Sequence, residues 1–326
     1  MARPIPLILA LMLVFLPGPA RANDGPLSAE AIANAEVGVE GGNENRAALI
    51  KAAILLDRAN FSPGIIDGLY GENVQNAIRA FQMANGLRGT GTLDPETMSK
   101  LAADDAAPLL TEYTISKDDV NGPFTENIPA KMEQQSKLPR LGYRDVTELL
   151  AETFHMSETV LKALNEGKRL DRADTRITVA DVRRENKELK AARLEVNKTD
   201  RVLRAFNSEG NLIAHYPASI GSEETPAPSG TVKVTRIAKN PNYTYNPKYQ
   251  FEGVESKRAF VVKPGPNNPV GLVWIALEGD GYGIHGTPEP AKVAKSASHG
   301  CVRLTNWDAL ELAGMIEKGT PVEFID

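Results

Sequence analysis

The stretch SASHGCVRL, Ser296 to Leu304, contains Cys301, the only cysteine in a chain of 326 residues. His299 stands two residues before it, and His285 stands 16 residues before it in GYGIHGT. The chain has four histidines, so half of them fall in these two glycine-flanked segments. A thiol with a pKa of about 8.5 is mostly protonated at neutral pH, and an imidazole beside it can take its proton or stabilise the thiolate. Glycine next to the nucleophile permits close approach of a substrate and leaves backbone N–H groups for a developing oxyanion. Thiol, imidazole and backbone donors suffice for acyl transfer through a thioester. The bland alternative, a buried cysteine acting as a small hydrophobe, fits poorly with polar, glycine-bearing neighbours. A zinc site made of Cys301, His299 and His285 is disfavoured, because the His-Gly-Cys spacing is too tight and no fourth ligand is evident.

The N-terminus bears on the thiol. MARPIPLILALMLVFLPGPARAN has Arg3 as a short positive region, an apolar run from Ile5 to Leu16, and a Pro-Gly-Pro break before Ala20-Arg21-Ala22. That is the layout of a secretory signal peptide over residues 1–22, with the mature chain starting at Asn23. The apolar run is shorter than the roughly 20 residues a membrane helix needs, and no later segment is apolar enough to be one. The expected product is exported to the periplasm or cell wall, with no integral membrane segment. Cysteines in such compartments are commonly paired, so a lone cysteine there reads as a reactive thiol. Losing Arg3 and Arg21 takes the formal charge from −5 to −7. A mildly acidic chain without long basic runs is a poor nucleic-acid binder.

The elements that must position the thiol lie beyond a charged stretch, RRENKELKAAR, read as a linker. From there the apolar period is two. ARLEVNKTDRVLRAFNSEGNLIAHYPASIG reads as three short strands with NSEGN as a turn, and GTVKVTRIA, KRAFVVK, GLVWIAL and TPVEFI continue the pattern. One helix interrupts it, TNWDALELAGMIEKG, where Thr305 and Asp308 are expected to form a capping box. Ala309, Leu312, Ala313 and Ile316 make its inner face, and Gly319 stops it.

Two further segments precede this β-rich region. Between Asn45 and Ala103, Leu49, Ala52, Ala53 and Leu56 share one helical face, as do Val74, Ala77, Ile78 and Phe81. Asp94 before Pro95 starts a third helix, which makes a compact bundle of three short helices. Between Thr111 and Arg183, EYTISKDDV reads as strand and turn. DVTELLAETFHMSETVLKALNEG reads as two helices, the second capped by Ser157, and DTRITVADV as a returning strand. The whole is a multidomain α+β chain, in keeping with its length.

Each part resembles a known family. GYGIHGT…SHGCVRLTNWDALELA resembles the L,D-transpeptidase catalytic domain of bacterial cell-wall synthesis, whose motif is a histidine, a spacer, then Ser/Thr-His-Gly-Cys. The resemblance covers residues 194–326. It implies Cys301 as nucleophile and His285 as proton acceptor. Ser298, His299 and Gly300 would shape the site, with the N–H groups of Gly300 and Cys301 aimed at the oxyanion. Arg303 would orient substrate or loop. Tyr282 and Trp274 are candidates for the pocket wall, with a core role preferred for Trp274. The implied reaction cleaves the terminal D-Ala from a tetrapeptide stem and passes the acyl group to an amine. That amine is another stem in a 3→3 cross-link, a D-amino acid, or a lysine of an outer-membrane lipoprotein. No metal or organic cofactor is implied. One departure is NPNYTYNPKY, where family members often carry an aromatic Asn-Pro-x-Trp stretch.

SPGIIDGLYGENVQNAIRAFQMANGLRGTGTLDPETMSKL closely resembles the peptidoglycan-binding domain of cell-wall enzymes, here residues 45–103, and implies docking on wall glycan. Residues 111–183 are similar to a LysM module, although the usual Gly-Asp turn reads SKDDV and a long insertion precedes the helices. Two rival functions stay open: an L,D-carboxypeptidase or endopeptidase, in which water meets the same thioester, and a wall-binding protein without catalysis.

Overall fold

The computed structural model describes residues 27–37, 46–103, 105, 107–183, 189–221, 226–249, 254–296 and 300–326. The expected leader at 1–22, Ser298 and His299 lie outside these residues. Among the described residues no helix is long and apolar enough to cross a membrane.

A short helix, α1 (Ala29–Ala33), precedes the bundle of α2 (Arg46–Arg58), α3 (Glu72–Ala84) and α4 (Pro95–Ala103). Asp94 caps α4 as its sequence demands, its carboxylate accepting from the Thr97 N–H at 2.7 Å. Helix α2 departs from the one-faced pattern expected of it. Its Leu49, Ala52, Leu55 and Leu56 pack against α3 and α4, while Ile50, Ala53 and Ile54 enter a second core shared with the next segment. A helix apolar all round is a helix buried all round, and RAALIKAAILLDR carries that signature. Fully burying an Ile side chain contributes about 1.5–3 kcal/mol, so the second face anchors α2 to its neighbour.

That neighbour follows the order strand, helices, strand: β1 (Leu110–Thr114), α5 (Lys117–Asn121), α6 (Met132–Gln135), α7 (Val146–Thr153), α8 (Glu158–Leu164) and β2 (Arg176–Ala180). β1 and β2 pair antiparallel. The expected turn at SKDDV is instead helix α5, because Ser116 and Asp119 form a reciprocal capping box. Ser157 caps α8 through the Val160 N–H at 3.2 Å.

The rest of the chain contributes β3 (Arg193–Asn197), β4 (Val202–Phe206), β5 (Leu212–Pro217), β6 (Ser219–Ile220), β7 (Gly230–Lys239), β8 (Tyr243–Tyr245), β9 (Phe260–Val262), β10 (Val273–Leu277), β11 (Gly283–His285), β12 (Val302–Arg303), α9 (Asn306–Met315) and β13 (Pro321–Ile325). One sheet has the order β5-β4-β3-β13-β7-β10-β11-β12-β6, and β8 pairs with β9 as a separate hairpin. The sheet's two end strands, β5 and β6, are separated in the chain by Ala218 alone. The sheet therefore curls until its ends nearly meet, around a core that includes Leu194, Tyr216, Ile275, Ile284 and Val302. Helix α9 closes this core with Ala309, Leu312 and Ala313. Thr305 caps it, accepting from the Asp308 N–H at 3.1 Å. The capping box expected there is half formed: the fully buried Asp308 carboxylate faces the Thr305 and Ser62 side chains and does not take the Thr305 backbone N–H.

The three parts are joined by polar contacts as well as apolar ones. His155, between α7 and α8, stacks on Trp307 of α9 with ring centroids 4.9 Å apart, and its Nδ1 lies 3.1 Å from the buried Asp57 carboxylate of α2. His155 is thus structural. Phe61 bridges to His215 of β5, with Ser62 N–H donating to His215 O at 2.8 Å. Asn306 Nδ2 donates to Glu152 Oε2 at 3.0 Å, and Asn267 Nδ2 to Glu148 Oε2 at 3.1 Å.

Candidate active site

β11 and β12 run parallel, with Ile284 beside Val302 and His285 beside Arg303. Side chains alternate along strands. Ile284, Val302 and Leu304 are fully buried in the core, so Gly283, His285, Cys301 and Arg303 fall on the opposite face. The sheet thereby unites residues that are 16 positions apart in the chain.

Cys301 ends the turn that enters β12, and Gly300 before it has φ +81°. That left-handed conformation favours glycine, because a Cβ would strain it. The Cys301 Sγ lies 3.6 Å from Gly281 O, to which the thiol donates. Burial pushes the thiol up to about 11, against the opposing pull of the Gly283 N–H and the Arg303 cation. The resting group is therefore a neutral thiol.

His285 is 5% exposed. Its Nδ1 stands 2.6 Å from Gly286 O. A carbonyl can only accept, so Nδ1 carries the proton and Nε2 keeps its lone pair. Burial first, and the Arg303 cation second, lower the imidazole to about 4. The ring is thus a neutral, oriented base. Trp274, paired with His285 across β10 and β11, stacks on it with centroids 5.6 Å apart and planes 20° from parallel. Gly283 makes room for this indole, since a Cβ there would come within 2.6 Å of Trp274 ring carbon.

Trp274 therefore belongs to the site face, which corrects the core role preferred from sequence. Tyr282 is half-buried and packs against the edge of the catalytic-domain core. Arg303 stands beside His285 and acts electrostatically on both His285 and Cys301, while burial lowers its own pKa and Glu289 counters that effect.

Sequence reasoning missed Tyr243. This phenol lies in the atypical NPNYTYNPKY stretch, and burial first, with Cys301 and Tyr245 nearby adding to it, raises its pKa above the ordinary value. Its hairpin, β8 with β9, is pinned by Tyr245 stacking on Phe260 at 4.8 Å. The insertion before α7 also supports this region, since Glu133 accepts the Glu255 and Ser256 N–H groups at 2.9 and 3.1 Å. The two tyrosines at alternate positions were the available signal.

Residues 191–324 match the L,D-transpeptidase catalytic domain family (YkuD), and residues 45–101 match the family described as "Putative peptidoglycan binding domain". Among curated relatives, "Putative L,D-transpeptidase YkuD" of Bacillus licheniformis is 30% identical over 130 residues, covering 40% of this chain and 63% of its own. Its Bacillus subtilis namesake is 34% identical over 110 residues, 33% of this chain and 63% of its own. "Probable L,D-transpeptidase YbiS" of Escherichia coli is 33% identical over 135 residues, 40% of this chain and 44% of its own. The chain thus spans less than two thirds of the length of these relatives. Solved L,D-transpeptidases of Enterococcus faecium and Mycobacterium smegmatis align at TM-scores of 0.33 and 0.34. Identities are 20% and 16%, over 42% and 49% of this chain and 50% and 76% of theirs. The strand pair that carries His285 and Cys301 lies inside the first matched region, and this chain carries an L,D-transpeptidase catalytic domain preceded by a peptidoglycan-binding domain.

Proposed function

We propose that the chain is an exported, periplasmic or wall-associated L,D-transpeptidase acting on peptidoglycan stem peptides. The observation that carries this reading is the His285 tautomer. With Nδ1 held by Gly286 O, Nε2 is the basic nitrogen, on the strand adjacent to that of Cys301. In the proposed reaction the Cys301 proton passes to His285 Nε2 as sulfur attacks the carbonyl between the diamino acid and the terminal D-Ala. The N–H groups of Gly300 and Cys301 face the oxyanion. The C–N bond breaks, D-Ala takes the proton from His285, and a thioester remains. An acceptor amine then attacks, giving its proton to His285, and the thiol re-forms. A neutral pair suits this sequence, because the proton moves with the attack and no stable ion pair has to be dismantled.

The proposed organisation is a leader at 1–22, a wall-docking module at 45–103, a LysM-like segment at 111–183 and the catalytic region at 194–326. The β1-helices-β2 order supports the LysM-like reading. Ser298 and His299 are proposed to shape the turn before the nucleophile. Arg303 is proposed to bind or orient substrate. The acceptor is a second stem, a D-amino acid or a lipoprotein lysine.

The test is mass spectrometry of products formed from a purified tetrapeptide stem, with and without an added amine. Transpeptidation predicts D-Ala loss with the amine incorporated. D-Ala loss with water alone incorporated would assign a carboxypeptidase, and no D-Ala loss would leave a wall-binding protein.

A further inference from the structure

Beside the nucleophile strand a cleft of about 160 Å³ opens, lined by Arg201, Ile220, Gly221, Lys295 and Ser296. None of these residues belongs to the catalytic pair. The cleft is nevertheless tied to it: Gly221 N–H donates to Cys301 O at 3.2 Å, and Ile220 pairs with Val302. Among the described residues its lining includes two cations and no acid.

The cation at one side is held in place. Arg201 has φ +55°, its carbonyl accepts the Ala218 N–H at 2.8 Å, and its Nη1 donates to Ala294 O at 3.1 Å. Ala294 is itself left-handed, at φ +61°, and its N–H donates to Ser219 Oγ at 3.0 Å. A guanidinium has five N–H donors in a planar fork, and this anchor uses one face of it. Lys295 follows Ala294 directly. Among the described residues neither cation has a carboxylate within 4.0 Å. Lys295 acts on the partly buried Asp67 carboxyl of the N-terminal module through space only. Two cations on a shared concave surface attract an anion and favour a carboxylate that can take a forked hydrogen bond.

We propose that this cleft is a carboxylate subsite for the donor peptide, in which Arg201 and Lys295 select peptides bearing an ionised carboxylate near the scissile carbonyl. The inference rests on the transpeptidase reading above and adds a specificity determinant to it. The carboxylate has two sources in the proposed substrate, the terminal D-Ala and the second carboxyl group of the diamino acid.

Two measurements separate this proposal from the reading it rests on. In the first, D-Ala release is compared for the tetrapeptide, its C-terminal amide, and its diamino-acid side-chain amide. The wild type should prefer the free acid at one of these positions by about 10-fold or more in kcat/KM, as a charge-assisted contact of about 1.4 kcal/mol implies, and the position names the source. Lys295→Gln should bring that acid-over-amide ratio towards one, and Lys295→Arg should keep it. Arg201→Gln should act likewise, although it also removes the bond to Ala294 O, so Lys295 carries the decision. In the second, Cys301 is alkylated with iodoacetate and with iodoacetamide, which needs no turnover. The iodoacetate-to-iodoacetamide rate ratio should fall in Lys295→Gln and recover in Lys295→Arg. An unchanged ratio in both measurements overturns the subsite. A falling alkylation ratio with no D-Ala release from any peptide keeps the subsite and overturns the transpeptidase reading.

Discussion

The Trp274 indole lies over the His285 imidazole, with centroids 5.6 Å apart and planes 20° from parallel. On the other side of the ring's chemistry, Gly286 O holds Nδ1 at 2.6 Å. Stacking fixes the ring plane and the hydrogen bond fixes the tautomer, so together they leave Nε2 as the unprotonated nitrogen.

Replacing Trp274 with Ala frees the ring plane while leaving both reacting groups in place. The expected result is a fall in kcat of about 10–100-fold, as small misplacements of a catalytic group produce, with little change in KM. Trp274→Phe should recover part of it. Steady-state D-Ala release at saturating peptide checks both variants, and an unchanged kcat for Trp274→Ala removes the positioning role.

The Cys301 thiol is raised to about 11 and His285 lowered to about 4. Below about pH 11 the proton stays on sulfur, so alkylation by iodoacetamide should climb steadily with pH, with its midpoint above the ordinary thiol value of about 8.5. His285→Ala should leave that profile nearly unchanged while lowering D-Ala release by about 10²–10⁴-fold. Cys301→Ala should release none. An alkylation midpoint below 8 would reveal a thiolate–imidazolium pair and refute the neutral ground state.

Asp308 is fully buried at the junction of all three parts, and burial, then the Asp57 charge, push its carboxyl up to about 7. The unfolded carboxyl titrates near pH 4. Between about pH 4 and 7 the folded state therefore holds a proton that the unfolded state has lost, so stability falls as pH rises through that window and levels off above it. Asp308→Asn should gain on the order of 2–4 kcal/mol at pH 8, with the gain shrinking towards pH 4. Urea unfolding at several pH values measures this, and a gain independent of pH would assign the effect to packing.

The N-terminal bundle resembles a docking module, which by itself would be separable from the chemistry. Its contacts argue otherwise. Asn73 Nδ2 donates to Val293 O at 3.2 Å, Leu212 of β5 packs into the bundle's core, and α2 buries Ile50 and Ile54 in the middle segment. Deleting residues 46–103 should therefore lower the melting temperature and reduce turnover of even a small soluble peptide. Equal melting and turnover would show the modules to be independent. Wall retention is better tested in the full chain with Leu69→Ser and Met83→Ser, whose side chains are exposed. Weaker binding to isolated sacculi at undiminished stability would place docking on this face.

Much of this protein is written in local sequence. Cys301 and His285 announce themselves because one cysteine behind a leader-like N-terminus, set among glycines, has few roles to play. Asp94-Pro95, Ser157 and Thr305 mark helix starts because capping depends on neighbours three residues away. The two-residue period beyond Arg193 follows from alternation along strands. Other features depend on which surfaces meet, and local pattern is silent about that. The all-round burial of α2 required a second partner for its Ile face. Trp274 came to lie on His285 because strand pairing across β10 and β11, not residue type, set which ring met the imidazole. The protonation of Cys301, His285 and Asp308 follows from burial, and the Arg201–Lys295 cleft from turns more than 90 residues apart. Residue types and spacing determined the reactants and the elements that carry them. Tertiary packing alone decided their environment, because desolvation and cross-chain contact exist only once the surfaces have closed.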